Sequence, residues 1–518
     1  MKLSGKRVAR FAEFLHEPVD AASVVFFRVC FGVILAFDFV RLLAIGQVKT
    51  EFVDAVFHFT LLGFDWVKPW PGDGMYYEFY ALFFIALCVA AGFLYRAAIV
   101  LLFLGVTHIF LIDMARFQNH SYLICLLSFL MCFMPLNRCF ALDARSRSAK
   151  RDRDSGAGGT VPRWVLWMLR LQLAIPYFYG GLAKLNWDWL SGMSLKWQLF
   201  LAEYELRAVT DSMATILFFS WAGLFFDLLI VPALLWRRTR AAAFLGACFF
   251  HAVNSQLFEI DIFPFFMLAA STIFFDPEWP RRFIHRVRGI PFVPVTASAP
   301  VPCASLRYKA GLVLLGLYTL VQVLFPLRWV FYEGNSGWTR EGHYFAWTMK
   351  LNIYMTGQTI YMLRDLQTSE QHRVDHINFL TPSQLSRLAS NPERILMVAH
   401  DLAAWYRRMT GHDAAVFIHN ELSMNGRYLQ LSINPNIDLA AEKRSWRPYK
   451  WIVPLQAPLF PQLPLPLPDR PALPGETWSR THMHWHNVAG SGRGLVTVPG
   501  RPTRFYECPW EMPGGAAP

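Results

Sequence analysis

Composition separates this chain from ordinary soluble proteins. It has 518 residues, of which 54% are hydrophobic and 17% charged, and its formal net charge is +12. Soluble domains are nearer to one quarter charged, so the composition argues against a soluble multidomain protein. The positive charge falls in short loops between apolar runs. This placement argues against nucleic-acid binding and makes anionic headgroups of the membrane lipid the expected charged partner.

Apolar runs close to the ~20 residues that cross a bilayer as a helix recur over the first 330 residues. We therefore predict a polytopic α-helical membrane bundle of nine spans, and the short eighth run leaves eight as an alternative. The predicted spans are 22–45, 78–95, 97–115, 121–137, 163–183, 213–235, 240–257, 262–276 and 310–328.

Basic residues support the odd number of spans. Clusters that contain Arg7, Arg138, Arg237 and Arg281 precede the first span or follow the fourth, sixth and eighth spans. Lysine and arginine collect on cytoplasmic loops, and all four clusters fall on one side of a nine-span path that starts inside. We expect a cytoplasmic N-terminus and a C-terminal domain in a periplasm or lumen.

The composition changes after the predicted membrane domain, residues 1–328. Residues 329–456 read as a strand-rich α+β exported domain, in which Asn425-Gly426 separates two β-prone runs and predicts a hairpin. Thr356-Gly357 is a turn signal within another β-prone run. Residues 457–518 are proline-rich and irregular, and we expect them to pack on the exported domain.

One stretch of the exported domain, "TPSQLSRLASNPERILMVAHDLAAWYRRM", predicts one or two helices. Thr381 or Ser383 is the expected cap of the first helix, and Asn391-Pro392 marks the expected break.

Three stretches place polar side chains inside or beside the apolar runs. "YFYGGLAKLNWDWL" contains Lys184, "ARFQNHSYLICLLSF" contains Asn119 and His120, and "FHAVNSQLF" contains His251 and Asn254. Each has a structural interpretation: a lysine that reaches the interface, a histidine bonded to a carbonyl, or a packed polar pair on one helical face. Their joint occurrence near the membrane layer, where such groups are costly, favours a functional site.

These stretches resemble the vitamin K-dependent γ-glutamyl carboxylase family, whose membrane part is called the HTTM domain. "NHSYL", "YFYGGLAKLNWDW", "FHAVNSQLF" and "FFDPEWPR" follow the family's order, and "NSGWTREGHYFAWTMKL", "NGRYLQLSINPNIDLA" and "WIVPL" resemble its exported domain. The resemblance covers roughly residues 10–455 and points to a prokaryotic-type homologue.

The resemblance implies a reaction that the residues alone do not reveal. Its cofactor is reduced vitamin K, a hydroquinone of the menaquinol or phylloquinol type, and O2 and CO2 are co-substrates. In this family, oxygenation of the hydroquinone to its epoxide is coupled to removal of a γ-proton from a peptide glutamate, and the carbanion captures CO2. The implied partners are therefore a quinone and a Glu-containing peptide or protein, and we assign no metal.

The same resemblance assigns residue roles. It implies that Lys184 deprotonates the hydroquinone and that His120 serves the carboxylation half-reaction. Asn119 is assigned to orienting the quinone or the lysine, and His251 and Asn254 are assigned supporting roles around the cofactor.

Physical chemistry makes the lysine's role plausible, because burial in apolar surroundings disfavours the charged form of an amine and makes it available as a base. Tyr177, Gly180, Gly181 and Lys184 are three or four residues apart and share a helical face. We expect the two glycines to leave room for a flat ring, and close helix packing is the alternative explanation. We also expect removal of the lysine to leave a small cavity and no unpaired charge.

Two features depart from the family pattern. Asp261 stands in "FEIDIFP" where the family usually has glycine, and "HMHWHN" places His482, His484 and His486 at alternate positions. Histidines on one face of a strand could hold a metal, and a solvated surface strand is the alternative.

Three functions remain open from the sequence. The first is the full carboxylase, and the second is an HTTM-family quinol epoxidase or modifying enzyme without Glu carboxylation. The third is a non-enzymatic membrane binding or transport protein. Transporters often carry repeats between their halves, and we find none in this sequence.

Overall fold

The structure is a computed structural model, and it describes residues 2–144, 159–201, 212–257, 260–295, 306–374, 379–459, 486–487, 493–496 and 504–507. Within these ranges, residues up to 331 contribute a helical bundle, and the residues that follow contribute a sheet with helices beside it. In chain order the helices of the bundle are α1 (Lys2–His16), α2 (Ala22–Ala44), α3 (Gly74–Ala91), α4 (Tyr95–Ile112), α5 (Asn119–Phe133), α6 (Arg163–Ala183), α7 (Trp187–Leu190), α8 (Met193–Leu201), α9 (Met213–Leu235), α10 (Arg240–Leu257), α11 (Phe263–Ser271), α12 (Trp279–Val287) and α13 (Leu306–Leu324).

A helix lies at each of the nine predicted spans, but the helices differ in length and polarity. Five segments of the described chain are long and apolar enough to cross a membrane: α2, α3, α4, α9 and Ala310–Phe331, which joins α13 to a 3-10 turn. The helices α5 and α11 are apolar but shorter. These segments indicate a membrane protein, and the count of nine spans stays a prediction.

Three of the basic loop clusters meet at one end of the bundle. The strand β1 (Pro18–Asp20) pairs with β2 (Thr160–Pro162), and Arg138 donates to the carbonyl of Thr160. The carboxylate of Asp20 accepts from Arg281 at 2.9 Å, and Arg240 lies 3.0 Å from Asp276. We call this the basic end. The basic end agrees with the expectation that these clusters share one side of the bundle. The assignment of this side to the cytoplasm stays a prediction.

Arg28 shows how α2 tolerates a charge within an apolar run. Its side chain is fully buried, and its guanidinium donates to the carbonyls of Leu136, Ala90 and Phe140 at 2.8–3.1 Å. Carbonyl oxygens replace the water that the guanidinium loses on burial.

The C-terminal region folds around a four-stranded antiparallel sheet. Its strands β3 (Tyr354–Asp365), β4 (Gln371–Val374), β5 (Ala414–Met424) and β6 (Gln430–Leu431) take the order β4-β3-β5-β6. The helices of this region are α14 (Ser336–Thr339), α15 (Pro382–Leu388) and α16 (Pro392–Thr410). Apolar side chains of α16, such as Ile395 and Leu402, share a core with Val416 and Ile418 of β5. This packing fixes the sheet on one face.

Local signals in this region were predicted well, with one exception. Thr381 caps α15 in a capping box, Asn391 caps α16, and Asn425-Gly426 forms the turn between β5 and β6 with both φ angles positive. The turn predicted at Thr356-Gly357 is wrong. The strand β3 runs through it, and the register shifts between Thr356 and Thr359, because the glycine permits a bulge beside the Glu421 carboxylate.

The tail contributes three short strands, β7 (His486–Asn487), β8 (Arg493–Val496) and β9 (Arg504–Glu507). His482 and His484 lie outside the described residues, and His486 begins β7.

Candidate functional site

Lys184 is buried at the C-terminal end of α6 and is paired with a carboxylate. It caps the helix, and its side chain is 9% exposed. Its Nζ lies 2.6 Å from Oδ2 of Asp227, which is itself buried in the middle of α9. The Nζ also lies 4.9 Å from the ring centroid of Trp189. At this distance the amine donates a hydrogen bond to the carboxylate.

This geometry corrects one expectation. Removal of Lys184 was expected to leave no unpaired charge, but it would leave the buried carboxylate of Asp227 without its partner. Sequence reasoning missed Asp227, although a signal was present: it is the single acidic residue in the apolar run of α9. A lone carboxylate there is costly unless a cation meets it.

The two glycines of α6 lie where α6 packs on α9 and on the C-terminal region. A Cβ at Gly181 would lie 2.6 Å from Leu228, and one at Gly180 would lie 3.1 Å from Met349 and 3.2 Å from Asp227. Close packing therefore explains Gly181, and the predicted place of both glycines beside a flat ring stays a prediction.

A second group of site residues surrounds Tyr177, which lies one turn before the glycines on α6. Its hydroxyl lies 2.9 Å from Nε2 of His251 on α10, and His251 is 1% exposed. Nδ1 of His251 has no hydrogen-bond partner among the described residues. The ring of Phe263 contacts both predicted histidines, with its centroid 6.0 Å from that of His251 and 5.7 Å from that of His120. The structure thus joins His251 and His120 through one aromatic ring.

The two asparagines have weaker structural support. Asn119 is the first residue of α5, directly before His120, and Asn254 lies one turn after His251 on α10. Both are half-buried, and neither forms a side-chain hydrogen bond with another residue in the described ranges. Their proposed roles stay predictions.

Asp261 occupies a backbone position that suits glycine. Its φ is +49°, in the left-handed region that aspartate adopts more readily than most residues. Its carboxylate lies 2.9 Å from Arg41, which also binds Asp38 at 2.8 Å. Asp261 is two residues before Phe263, whose ring centroid lies 5.7 Å from that of His120. The departure from the family pattern therefore adds an ion pair beside a predicted site residue.

The segment 340–351 connects the bundle to the sheet. Arg340, Phe345, Trp347 and Lys350 all have positive φ angles, and such angles are rare for bulky side chains. The surroundings hold the segment in place: Gln198 of α8 donates to the carbonyl of Lys350 at 2.6 Å.

His343 lies in the same segment. Its Nδ1 forms a hydrogen bond with the hydroxyl of Thr348 at 2.9 Å. Burial, together with the nearby positive charges of Arg340 and Arg394, holds the pKa of His343 well below its usual value. His343 is therefore neutral at physiological pH.

The β5–β6 hairpin also contacts the bundle. Asn425 and Arg427 both bind the carboxylate of Asp188 on α7, Asn425 at 2.7 Å and Arg427 through two hydrogen bonds at 2.5 and 2.8 Å. All three side chains are buried. Sequence analysis predicted the hairpin but not its partner, because Asp188 and Arg427 are 239 positions apart.

The candidate site combines one unpartnered polar atom with apolar walls. Nδ1 of His251 is buried among Phe226, Phe250 and Phe263, and Lys184 lies about two helical turns beyond Tyr177 at the end of α6. Apolar walls with few polar groups are typical of small-molecule sites. Within the described ranges, no group of three or more His, Cys, Asp or Glu side chains could hold a metal ion.

Comparison with known families gives two matches. The family model of the HTTM domain matches residues 16–279, and the model described as the vitamin K-dependent gamma-carboxylase lumenal domain matches residues 307–458. The first match covers the bundle up to α12, and the second covers α13 and the four-stranded sheet. No solved structure matches the chain.

Proposed function

Because the chain belongs to the vitamin K-dependent γ-glutamyl carboxylase family, we propose that it is an integral membrane γ-glutamyl carboxylase. It couples oxygenation of a reduced quinone to the epoxide with proton abstraction from a peptide glutamate and addition of CO2. The buried Lys184–Asp227 pair is the observation that carries this proposal, since a membrane protein rarely keeps two ionisable groups in its interior without using them.

Lys184 is the proposed base for the hydroquinone. A base has to hold the abstracted proton, and the Asp227 carboxylate at 2.6 Å stabilises the ammonium that forms on Nζ. Before the next hydroquinone is deprotonated, the ammonium gives this proton up to water, so that Nζ is again free to accept one. Trp189 covers the amine on one side and keeps water away from it.

Reduced vitamin K, when bound, supplies the electrons for O2 and with them a base strong enough for the γ-proton of glutamate. The residues that would hold its ring are Tyr177, His251 and Phe263, because the unpartnered Nδ1 of His251 can accept or donate a hydrogen bond. His120, whose ring stacks on Phe263, is the proposed residue of the carboxylation half-reaction. Asn119 and Asn254 lie beside these histidines and complete the proposed site.

The remaining partners follow from the architecture. A Glu-containing peptide would reach the site from the exported domain, whose segment 340–351 touches α6 through Met349. Anionic lipid headgroups would contact the basic end, where Arg237 and Arg282 are exposed. The proposed orientation keeps the N-terminus cytoplasmic and the sheet in the periplasm or lumen.

The test uses purified full-length protein in lipid nanodiscs with reduced vitamin K, O2, a glutamate-rich peptide and labelled bicarbonate. We expect quinone epoxide and labelled peptide to form together. Lys184→Arg should abolish both products, because a guanidinium stays protonated and cannot act as a base. Lys49→Arg is the matched control, since Lys49 is exposed and pairs with Asp54 outside the site.

The two products distinguish the open functions. Epoxide without labelled peptide would identify a quinol epoxidase that lacks Glu carboxylation. Neither product, together with saturable quinone binding, would favour a binding or transport protein. Normal epoxide formation by Lys184→Arg would exclude the lysine as the base.

A further inference from the structure

We propose that Arg427 of the exported hairpin is a positioning residue for Lys184, acting through Asp188 and Trp189. This inference rests on the proposed function of Lys184 as a base. It adds a role for the C-terminal region in the quinol half-reaction, which otherwise involves only the membrane bundle.

The first step of the connection is the contact between hairpin and bundle. The guanidinium of Arg427 forms a two-pronged ion pair with Asp188, and the Asn425 amide donates to the same carboxylate. Arg427 also donates to the carbonyl of Ala457 at 3.1 Å. Planar, two-pronged pairs fix orientation as well as distance. The carboxylate of Asp188 is therefore held in one position by the hairpin.

The second step runs through α7. This helix has four residues, so fixing Asp188 also fixes its neighbour Trp189. The indole Nε1 of Trp189 donates to the carbonyl of Ser220 at 2.8 Å, and the Ser220 hydroxyl donates back to the carbonyl of Trp189 at 2.5 Å. The indole ring then lies against the Lys184 amine.

The third step is the tight fit of the hairpin turn. A Cβ at Gly426 would lie 1.7 Å from Nε1 of Trp197 on α8, so the turn has no freedom to shift toward the bundle. The turn thus touches α7 and α8, the two helices that follow Lys184 in the chain. Together these contacts set where Trp189 stands over the amine.

A purely structural contact would affect stability and leave the chemistry of Lys184 unchanged. A positioning contact changes the surroundings of the amine, and hence the pH dependence of its reaction. Trp189→Leu removes the indole directly, so it provides the reference. If Arg427 acts through Trp189, its loss should resemble the loss of the indole, and the two changes together should add little.

The experiment measures epoxide formation against pH at saturating reduced vitamin K for the wild type, Arg427→Gln, Trp189→Leu and the double variant. We expect Arg427→Gln to lower kcat by about tenfold to a hundredfold with little change in KM, as misplacement of a catalytic group does. Its pH profile should shift in the same direction as that of Trp189→Leu. The kcat of the double variant should be at most about twofold below that of the slower single variant.

Arg444→Gln is the matched control. Arg444 also joins the C-terminal region to a loop of the bundle, because it binds Asp65 of that loop at 2.7 Å. It is held by Glu393 of α16 at 2.9 Å and does not reach α7. We expect it to lower thermal stability and to leave the pH profile of epoxide formation unchanged.

Arg427→Lys keeps the charge but loses the two-pronged geometry, and it replaces Arg427→Gln in the experiment if that variant fails to fold. Its kcat should lie between those of the wild type and Arg427→Gln. Hydrogen exchange of the segment 186–192 provides a readout without activity, and it should be faster in both variants. Unchanged exchange and an unchanged pH profile in either variant would overturn the proposal, as would additive effects in the double variant. A wild type that forms no epoxide would overturn the proposed function, whereas the exchange measurement would still decide whether the hairpin orders α7.

Discussion

The buried ion pairs of the site end, which is the end that contains Lys184, contrast with the exposed pair of Arg282 and Glu278 at the basic end. At the site end, Lys184 faces Asp227 and Arg427 faces Asp188, and all four side chains are at most 10% exposed. At the basic end, Arg282 pairs with Glu278 while 54% of its side chain remains exposed. Water solvates the pair of Arg282 and Glu278 and is largely excluded from the two pairs of the site end. The difference teaches that the contribution of a charge to stability depends on its burial more than on the number of ion pairs.

The largest effect is expected from breaking the buried pair. Lys184→Met should lower the free energy of unfolding by about 3–5 kcal/mol, because it leaves the Asp227 carboxylate buried and unpaired. Lys184→Met/Asp227→Leu should recover most of this loss and remain inactive. Denaturant titrations of both variants in detergent micelles measure the two values. If Lys184→Met were as stable as the wild type, water would reach Asp227. The buried and the exposed ion pairs would then not differ in their contribution to stability.

A somewhat smaller effect is expected at the hairpin turn. Gly426→Ala should destabilise the protein by roughly 2–4 kcal/mol, because the new methyl group meets Trp197 and the residue keeps its left-handed backbone. Gly411→Ala is the control, since Gly411 has φ +81° and no atom near its virtual Cβ. Its cost should be only about 1 kcal/mol. Equal costs for the two variants, in the same unfolding assay, would remove Trp197 from the explanation.

A third comparison uses two buried tyrosines. Tyr177→Phe should cost about 1 kcal/mol, because it removes the hydrogen bond to His251, and it should also raise KM for the quinol. Tyr95 donates to the carbonyl of Met131 near the basic end. Tyr95→Phe should therefore cost a similar amount while KM stays at the wild-type value. Steady-state kinetics beside thermal melts would separate the two, and equal effects on KM would contradict the assignment of Tyr177 to the site.

The smallest effect is expected at the basic end. Arg282→Gln should change stability by less than about 0.5 kcal/mol, because its exposed pair with Glu278 competes with water. The same thermal melts would test it, run at low and high salt. A loss above 2 kcal/mol that disappears in high salt would mean that this surface carries stabilising electrostatics the structure does not reveal.

Sequence reasoning predicted local features better than pairings. Helices appeared at every predicted span, and the capping box at Thr381 and the turn at Asn425-Gly426 followed from residue types that act within a few positions. Lys184 was recognised, but its partner Asp227 was not. The two residues are 43 positions apart on different helices, and only packing of α6 against α9 brings them together.

The same distinction explains the errors. The bulge at Thr356-Gly357 was interpreted as a turn, because the dipeptide signal does not show that the neighbouring strand β5 continues past it. The pairing of Asp188 with Arg427 left no trace in local periodicity. Asp261 was noticed as an unusual residue, yet its bond to Arg41 on α2 depends on how distant helices meet.

The contact between Asp188 and Arg427 also has a consequence for biosynthesis. The ribosome completes Asp188 first, and the partner arginine follows 239 residues later, which corresponds to roughly 10–50 s of translation at typical rates. Throughout that interval the nascent bundle carries an unneutralised carboxylate at the helix that follows Lys184. A chain truncated before the hairpin keeps that defect permanently. Whether Asp188 is paired therefore distinguishes a finished molecule from an incomplete one.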